Sequence, residues 1–325
     1  MDTNQLFNIQ DAMDFEREAL EIFDYQSTQN EVYAQFLNYL KVDVSRVKKV
    51  KDIPFLPIQF FKSHTVLSSK SPVVQTFLSS GTTGMTPSKH HVTNLAIYEQ
   101  SFKTCFDQFY GSVSDFTILA LLPSYLERDG SSLIYMVDAL IKDSKNKDSG
   151  FYLDDYDLIS QKLQELNNRG EKVLLIGVTY ALLDLIEREK FSLKNTIVME
   201  TGGMKGRRKE MIRTELHQLL TSGFGVDFIH SEYGMTEMLS QAYSYGEGLF
   251  KCPNWMKVMI RDTEDPMSYL PRGRSGGINV IDLANIESCS FIATQDLGKL
   301  HTENTFEILG RFDHSDIRGC NLLVQ

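Results

Sequence analysis

No two of the four cysteines, Cys105, Cys252, Cys289 and Cys320, stand at a CxxC spacing. A disulfide framework and a zinc ribbon are thereby excluded, and the pattern suits a reducing cytoplasm. Long apolar runs are also missing. The stretch ILALL at 118–122 is far short of a membrane span, and the N-terminal MDTNQLFNIQDAMDFERE is acidic with no apolar targeting core. Basic residues are outnumbered, 33 Lys and Arg against 43 Asp and Glu, for a net charge of −10. With no basic stripe interleaved with aromatics, such a balance repels phosphate backbones and argues against a nucleic-acid partner. Internal repeats, low-complexity tracts and Gly/Ser/Pro linkers are absent as well.

What is present is a chain of 325 residues, 42% hydrophobic and 23% charged. That is ample for a large core and ordinary for a globular protein. The first ninety residues read as mostly helical: Tyr33, Phe36, Leu37 and Leu40 share one helical face, and Pro54, Pro57 and Pro72 interrupt the pattern beyond it. From residue 73 strands and helices alternate. PVVQTFLSS reads as a strand, and Leu95, Tyr98, Phe102, Phe106 and Phe109 form a helical core stripe that also holds Cys105 as a buried thiol. FTILALL (116–122), KVLLIGV (172–178), NTIVME (195–200) and VDFIH (226–230) read as strands. Helices are expected near 131–142, 155–168 (stopped by Gly170), up to about 189, and 206–220. This alternation predicts an α/β fold with mostly parallel sheets flanked by helices. After about 250 the texture turns to short β-like runs, GGINVIDL, SFIAT and TFEIL. The expected organisation is a single domain over 1–325, with a helical region at 1–72, an α/β nucleotide-binding core at 73–250 and a β-rich subregion at 251–325.

The segment SSGTTGMTPSK (79–89) crowds small hydroxyl and glycine residues between a strand and the helix expected near Thr93. Glycines let the backbone approach a ligand closely and hydroxyls add donors, so such a loop can wrap a polyphosphate, with Lys89 as the charge. It lacks the GxxxxGK[ST] spacing of the common P-loop, and a flexible surface loop is the bland alternative. SEYGMTEM (231–238) follows the strand VDFIH and sets Thr236 beside Glu237, a hydroxyl for a phosphate oxygen and a carboxylate for magnesium. TQDLGKL (294–300) ends another strand with Asp296, suited to ribose hydroxyls, and GRFDHSDIRGCN (310–321) adds Arg311 and Asp313. Each taken singly has a dull counterpart in a turn, a cap or a surface ion pair.

In this order and spacing the four motifs resemble the adenylate-forming enzymes, a superfamily of acyl-CoA ligases, luciferases and peptide-synthetase adenylation domains. The resemblance covers about 75–321. It implies that Ser80, Gly81, Thr82, Thr83 and Gly84 hold the ATP phosphates with Lys89 near them. It further implies that Thr236 meets the α-phosphate, Glu237 the magnesium ion, Asp296 the ribose and Arg311 the ribose or phosphate. Gly202 and Gly203 in METGGMKG fall where the family lines its adenine pocket, and Tyr233 counts among the nucleotide-binding residues. Two departures stand out. The usual Pro-Lys-Gly loop ending is replaced by Pro87-Ser88-Lys89-His90, and Gln295 replaces the usual glycine before the ribose aspartate.

A larger departure comes after Asp313, where too few residues remain for the superfamily's small C-terminal domain and its catalytic lysine. Chain length, the QFFKSH stretch (59–64) and the RGCNLL terminus together resemble the acyl-protein synthetase family, synthetase subunits of bacterial fatty-acid reductase. That resemblance implies adenylation of a fatty acid, transfer to Cys320 as a thioester and delivery to a reductase partner, with Arg318 or His314 to help ionise the thiol. Three alternatives stay open. A phenylacetate-type acyl-CoA ligase would make a thioester on free coenzyme A. A carrier-loading enzyme would acylate a second protein. A catalytically dead subunit would bind ATP without pyrophosphate exchange. His90 and His91 at the phosphate loop and His230 at the acyl pocket are secondary candidates, and His64 reads as a core or surface histidine more than as a catalyst. The sequence leaves oligomeric state open, self-association included.

Overall fold

A computed structural model describes residues 5–79, 86–122, 130–202, 208, 211–302 and 304–312. The helical N-terminal region comprises α1 (Ala12–Gln29) and α2 (Glu31–Tyr39), then the short β1 (Leu56–Pro57) and α3 (Phe60–Ser63). Asp11 caps α1 by accepting from the amides of Met13 and Asp14, and Asn30 caps α2 through Tyr33 N–H. The region is stitched to the far end of the chain. Gln26 Nε2 donates to the carbonyls of Asn285 and Ile286, and Asn30 Nδ2 to that of Ser288. β1 itself pairs parallel with a later strand through Leu56 and Ile292.

Next come β2 (Gln75–Leu78), β3 (Lys89–Val92) and α4 (Leu95–Tyr110). The alternating series then runs β4 (Thr117–Leu121), α5 (Ser132–Ser144), β5 (Gly150–Phe151), α6 (Tyr156–Arg169), β6 (Val173–Val178), α7 (Thr179–Arg188), β7 (Thr196–Thr201), α8 (Arg213–Phe224) and β8 (Ile229–Tyr233). β4 and β6 are buried at every position, as their unbroken apolar runs require of strands covered on both faces. Gly170 closes α6 at φ +70°, the left-handed stop expected of it. α4 buries Tyr98, Phe102, Cys105 and Phe106, the expected core stripe. The remainder is β9 (Ala242–Ser244), β10 (Leu249–Lys251), β11 (Met256–Arg261), β12 (Ser275–Asp282), β13 (Phe291–Leu300) and β14 (Thr305–Arg311).

Among the described residues one large sheet runs β11-β12-β13-β14-β10-β9-β8-β7-β6-β4-β5. The span from β5 to β8 is parallel, and from β8 onward every neighbour pair on this path is antiparallel. The α/β core and the β-rich C-terminal texture are therefore two halves of one sheet, and β8 is the strand where they meet.

Three boundaries differ from the sequence expectation. The strand expected at 226–230 lies at Ile229–Tyr233, so the start of the SEYGMTE motif is inside it. The helix expected at 206–220 is α8, which begins only at Arg213 and runs on to Phe224, whereas TQDLGKL does close β13 at Leu300, with Asp296 inside the ladder. The hydroxyl-rich loop does not lead straight into a helix. β3 intervenes and pairs antiparallel with β2 from Gln75↔Val92 to Leu78↔Lys89, because Ser88, His90 and Val92 turn one buried face inward at the period of a strand.

Candidate functional site

The loop between β2 and β3 has a closed neck. Ser79 N–H donates to the Ser88 carbonyl at 3.1 Å, and Ser88 N–H returns to Ser79 Oγ at 2.8 Å. Ser88 is buried, and its hydroxyl lies close enough to the carboxyl of Glu237 to favour the ionised form. The neck thus stands directly on the motif that follows β8. Lys89, the next residue, is exposed. Burial raises the pKa of Glu237, while the Ser88 hydroxyl and the electrostatic reach of Arg311 and Lys62 pull it back.

The segment after β8 is fixed from below by buried side chains. His90 Nδ1 lies 2.8 Å from the carbonyl of Thr236, and Asn285 Nδ2 donates to the carbonyl of Glu237 at 2.7 Å. Asp282, at the end of β12, accepts from Leu239 N–H (2.8 Å), Ser240 N–H (3.0 Å) and Ser240 Oγ (2.6 Å). Burial raises Asp282 to about 6 despite these donors. Trp255 Nε1 completes the base by donating to Ser240 Oγ at 2.9 Å. Anchoring both carbonyls and amides leaves the Thr236–Glu237 peptide little freedom.

Asp296 and Arg311 face each other across β13 and β14. Arg311 Nε donates to Asp296 Oδ1 at 2.9 Å, and Tyr233 Oη donates to Oδ2 at 2.9 Å. The carboxylate is almost wholly buried, whereas the Arg311 side chain is 73% exposed and open to a ligand. The Tyr233 ring is buried against Phe250 and Phe306, so its hydroxyl steadies Asp296 from inside the sheet. Arg261 on β11, which no sequence pattern singled out, donates to the carbonyls of Ile278 and Thr294 at 2.6 Å each and holds this end of β13. A side chain at Gly277 would put Cβ 2.4 Å from Arg261 Cζ, which explains the glycine there.

At the end of β7, Gly202 takes φ +70° and its carbonyl accepts from Thr179 Oγ1 at 2.6 Å. Beneath it the buried Glu200 lies 3.4 Å from Arg213 and 3.6 Å from His217. On the opposite sheet face Glu232 accepts from Thr201 Oγ1 at 2.5 Å; burial, with Glu200 nearby, raises its pKa to about 7. His230 lies 3.2 Å from the Tyr110 hydroxyl, and burial lowers it to about 4.

Lys89, Gly202, Tyr233, Thr236, Glu237, Asp296 and Arg311 therefore sit on β3, β13, β14 and the carboxyl ends of β7 and β8. In open α/β sheets ligands bind at such ends, where the strand order changes direction. Ser80, Gly81, Thr82, Thr83, Gly84, Gly203 and Cys320 lie outside the described residues, as do Asp313, His314 and Arg318. Sequence reasoning missed Ser88 as a partner of Glu237, and also Asp282 and Asn285. A buried polar residue with a remote partner carries no local signature. Cys105 and Cys289 are buried and Cys252 partly so, and burial raises all three thiols, Cys289 to about 12. Among the described residues no cluster of three or more His, Cys, Asp or Glu offers a metal cage, and no helix is long and apolar enough to cross a membrane.

Solved structures share this fold. 2-Hydroxyisobutyryl-CoA ligase, in an open conformation with 2-HIB-AMP and CoA, matches 93% of this chain and 70% of its own at TM-score 0.67 and 11% identity. ATP-bound MatB from Rhodopseudomonas palustris matches 75% of this chain at TM-score 0.56 and 18% identity. The match spans 49%, about half, of the MatB chain. At these identities the likeness is one of fold. No curated protein matches the chain. The family described as Acyl-protein synthetase, LuxE, matches residues 8–325.

Proposed function

The chain belongs to the acyl-protein synthetase, LuxE, family of adenylate-forming ligases, and from that premise we propose that it activates a fatty acid with ATP and magnesium and passes the acyl group to its own Cys320. The observation that supports this best is the contact of Ser88 with Glu237, which seats the hydroxyl-rich loop on the Thr236–Glu237 pair. The chain acts as one adenylate-forming unit in the cytoplasm and hands its acyl thioester to a reductase or other acceptor protein.

In the first step a carboxylate oxygen of the acid attacks the α-phosphorus of ATP. The bond from that phosphorus to the bridging oxygen breaks, and pyrophosphate leaves with the electron pair. Ser80, Gly81, Thr82, Thr83 and Gly84, with Lys89, cradle the departing phosphates, and Thr236 steadies the α-phosphate. Asp296, oriented by Tyr233 and Arg311, holds the ribose, and Gly202 and Gly203 border the adenine. These groups position the reactants and meet developing negative charge with fixed donors. Glu237 fits magnesium, which takes one or two carboxylates and completes its shell with phosphates and water rather than a protein cage. Bound there, the ion would neutralise charge on the phosphate oxygens.

In the second step the Cys320 thiolate attacks the acyl carbonyl carbon and AMP leaves as the carbon–oxygen bond breaks. The three other thiols are held protonated by burial, which disfavours them as nucleophiles and supports the reading of Cys320 as the acceptor. The test is ATP–pyrophosphate exchange across a panel of acids, from acetate through aryl acids to tetradecanoate, with and without a candidate reductase. Exchange with long-chain acids is expected. Exchange with no acid, under either condition, would refute the adenylation reading.

A further inference from the structure

We propose that His90 is a positioning residue for adenylation, fixing the Thr236–Glu237 peptide through its Nδ1–H and joining that peptide to the hydroxyl-rich loop. The inference rests on the adenylation reading and deepens it by naming a residue that acts through others.

His90 is 1% exposed, and its Nδ1 lies 2.8 Å from the Thr236 carbonyl across 146 residues of sequence. A carbonyl only accepts, so Nδ1 carries the proton. Burial lowers the ring to about 4, which keeps it neutral through the ordinary working range of pH. It contributes direction, not charge. An apolar side chain would fill the same space without a desolvation penalty, so a polar ring here is explained by what it holds.

Geometry extends the argument to the start of β3. Ser88, the residue just before the strand, and His90 within it lie two residues apart and are both buried. The Ser88 hydroxyl lies by the carboxyl of Glu237, and His90 holds the carbonyl one residue earlier. One short segment therefore meets two successive residues of the motif, one at its side chain and one at its backbone. The strand continues from Ser88, in the described part of the hydroxyl-rich segment, which bonds back to Ser79. Phe61, from the QFFKSH stretch, backs the imidazole edge-to-face with centroids 5.8 Å apart at 89°. That stretch thereby gains a role: it sets the plane of the ring that orients Thr236.

Four full-length proteins test this: wild type, His90→Leu, His90→Asn and His90→Gln, each assayed for acid-dependent pyrophosphate exchange and for thermal unfolding. Asn places its amide nitrogen near the position of Nδ1, whereas Gln places it near Nε2. His90→Leu is expected to lower the maximal exchange rate about tenfold or more, with a change in KM for ATP no larger than about threefold. His90→Asn should recover most of that loss and His90→Gln little of it, a contrast that holds even if the leucine variant folds poorly. A His90→Leu enzyme exchanging at the wild-type rate, or Gln rescuing as well as Asn, overturns the inference. Absence of exchange by wild type itself would sink the adenylation reading and this one with it, whereas active wild type with a silent His90→Leu sinks this one alone.

Discussion

The hydroxyl of Tyr233 donates to Asp296 Oδ2 at 2.9 Å, joining the last residue of the parallel half of the sheet to the middle of its antiparallel half. The other oxygen of that carboxylate is held by Arg311 at 2.9 Å. Asp296 is thus oriented before any ribose arrives, and two lone pairs per oxygen leave room for sugar hydroxyls. Asp296→Ala should raise KM for ATP more than it lowers maximal exchange, since the ribose is remote from the bond being broken. Tyr233→Phe removes one steadying donor, worth about 1 kcal/mol, and should raise KM about fivefold. A large fall in turnover at unaltered ATP affinity contradicts the ribose assignment.

Glu237 carries the second prediction. Glu237→Gln should lower magnesium-dependent exchange by at least about tenfold while circular dichroism and melting behaviour stay close to wild type. Ser88→Ala leaves the carboxyl in place but strips its hydroxyl partner, so a smaller loss is expected. Unchanged exchange by Glu237→Gln at saturating ATP would remove this residue from the site.

The parallel half was legible because its signals are local. KVLLIGV and FTILALL are apolar throughout, as strands covered on both faces must be, and Gly170 marks a helix end by its φ. The strand β3 was not legible, because four residues reading Lys-His-His-Val give no apolar run; the burial of His90 is visible only once Phe61 and Thr236 are in place. The strand that TQDLGKL closes was legible, but not the register shift between Leu297 and Gly298 just after Asp296, which depends on the partner strand. The site residues found by motif, Thr236, Glu237, Asp296 and Arg311, are those whose chemistry faces a ligand. Those missed, Ser88, Asn285, Asp282 and Arg261, face other protein groups, and their partners lie up to 149 residues away.

Glu232 makes stability depend on pH in a direction opposite to that of an ion-paired acid. Its carboxyl, ordinarily near 4.5, is raised to about 7 by burial, with Glu200 nearby adding to the effect. Between these values the folded chain holds a proton that the unfolded chain has released. The contribution is therefore full below about 4.5 and lost as pH rises through 7. His90 and His230, both lowered to about 4, work the other way below their ordinary value near 6.5. A comparison of wild type with Glu232→Gln cancels the histidines. Denaturant unfolding from pH 4.5 to 7.5 should show wild type losing about 3 kcal/mol relative to the variant, at about 1.4 kcal/mol per pKa unit. Parallel stability curves would show that Glu232 is ionised in the fold.

The last prediction concerns the acceptor thiol. Cys105, Cys252 and Cys289 are each disfavoured as nucleophiles, since burial raises all three above the usual thiol range. Alanine at any of the three should leave acyl labelling in place, with Cys105→Ala and Cys289→Ala at some cost in stability because both are fully buried. Cys320→Ala should behave differently. Acid-dependent pyrophosphate exchange continues, because adenylation needs no thiol, while covalent labelling of the chain by radioactive acid is abolished. Labelled wild type should release its acyl group to neutral hydroxylamine, as a thioester does and an ordinary ester does far more slowly. Intact mass read alongside exchange separates the competing chemistries. An acyl adduct that survives Cys320→Ala moves the acceptor to another residue. No adduct on wild type, with exchange intact and thioester appearing on coenzyme A or a carrier protein, makes the chain a ligase that delivers its acyl group elsewhere.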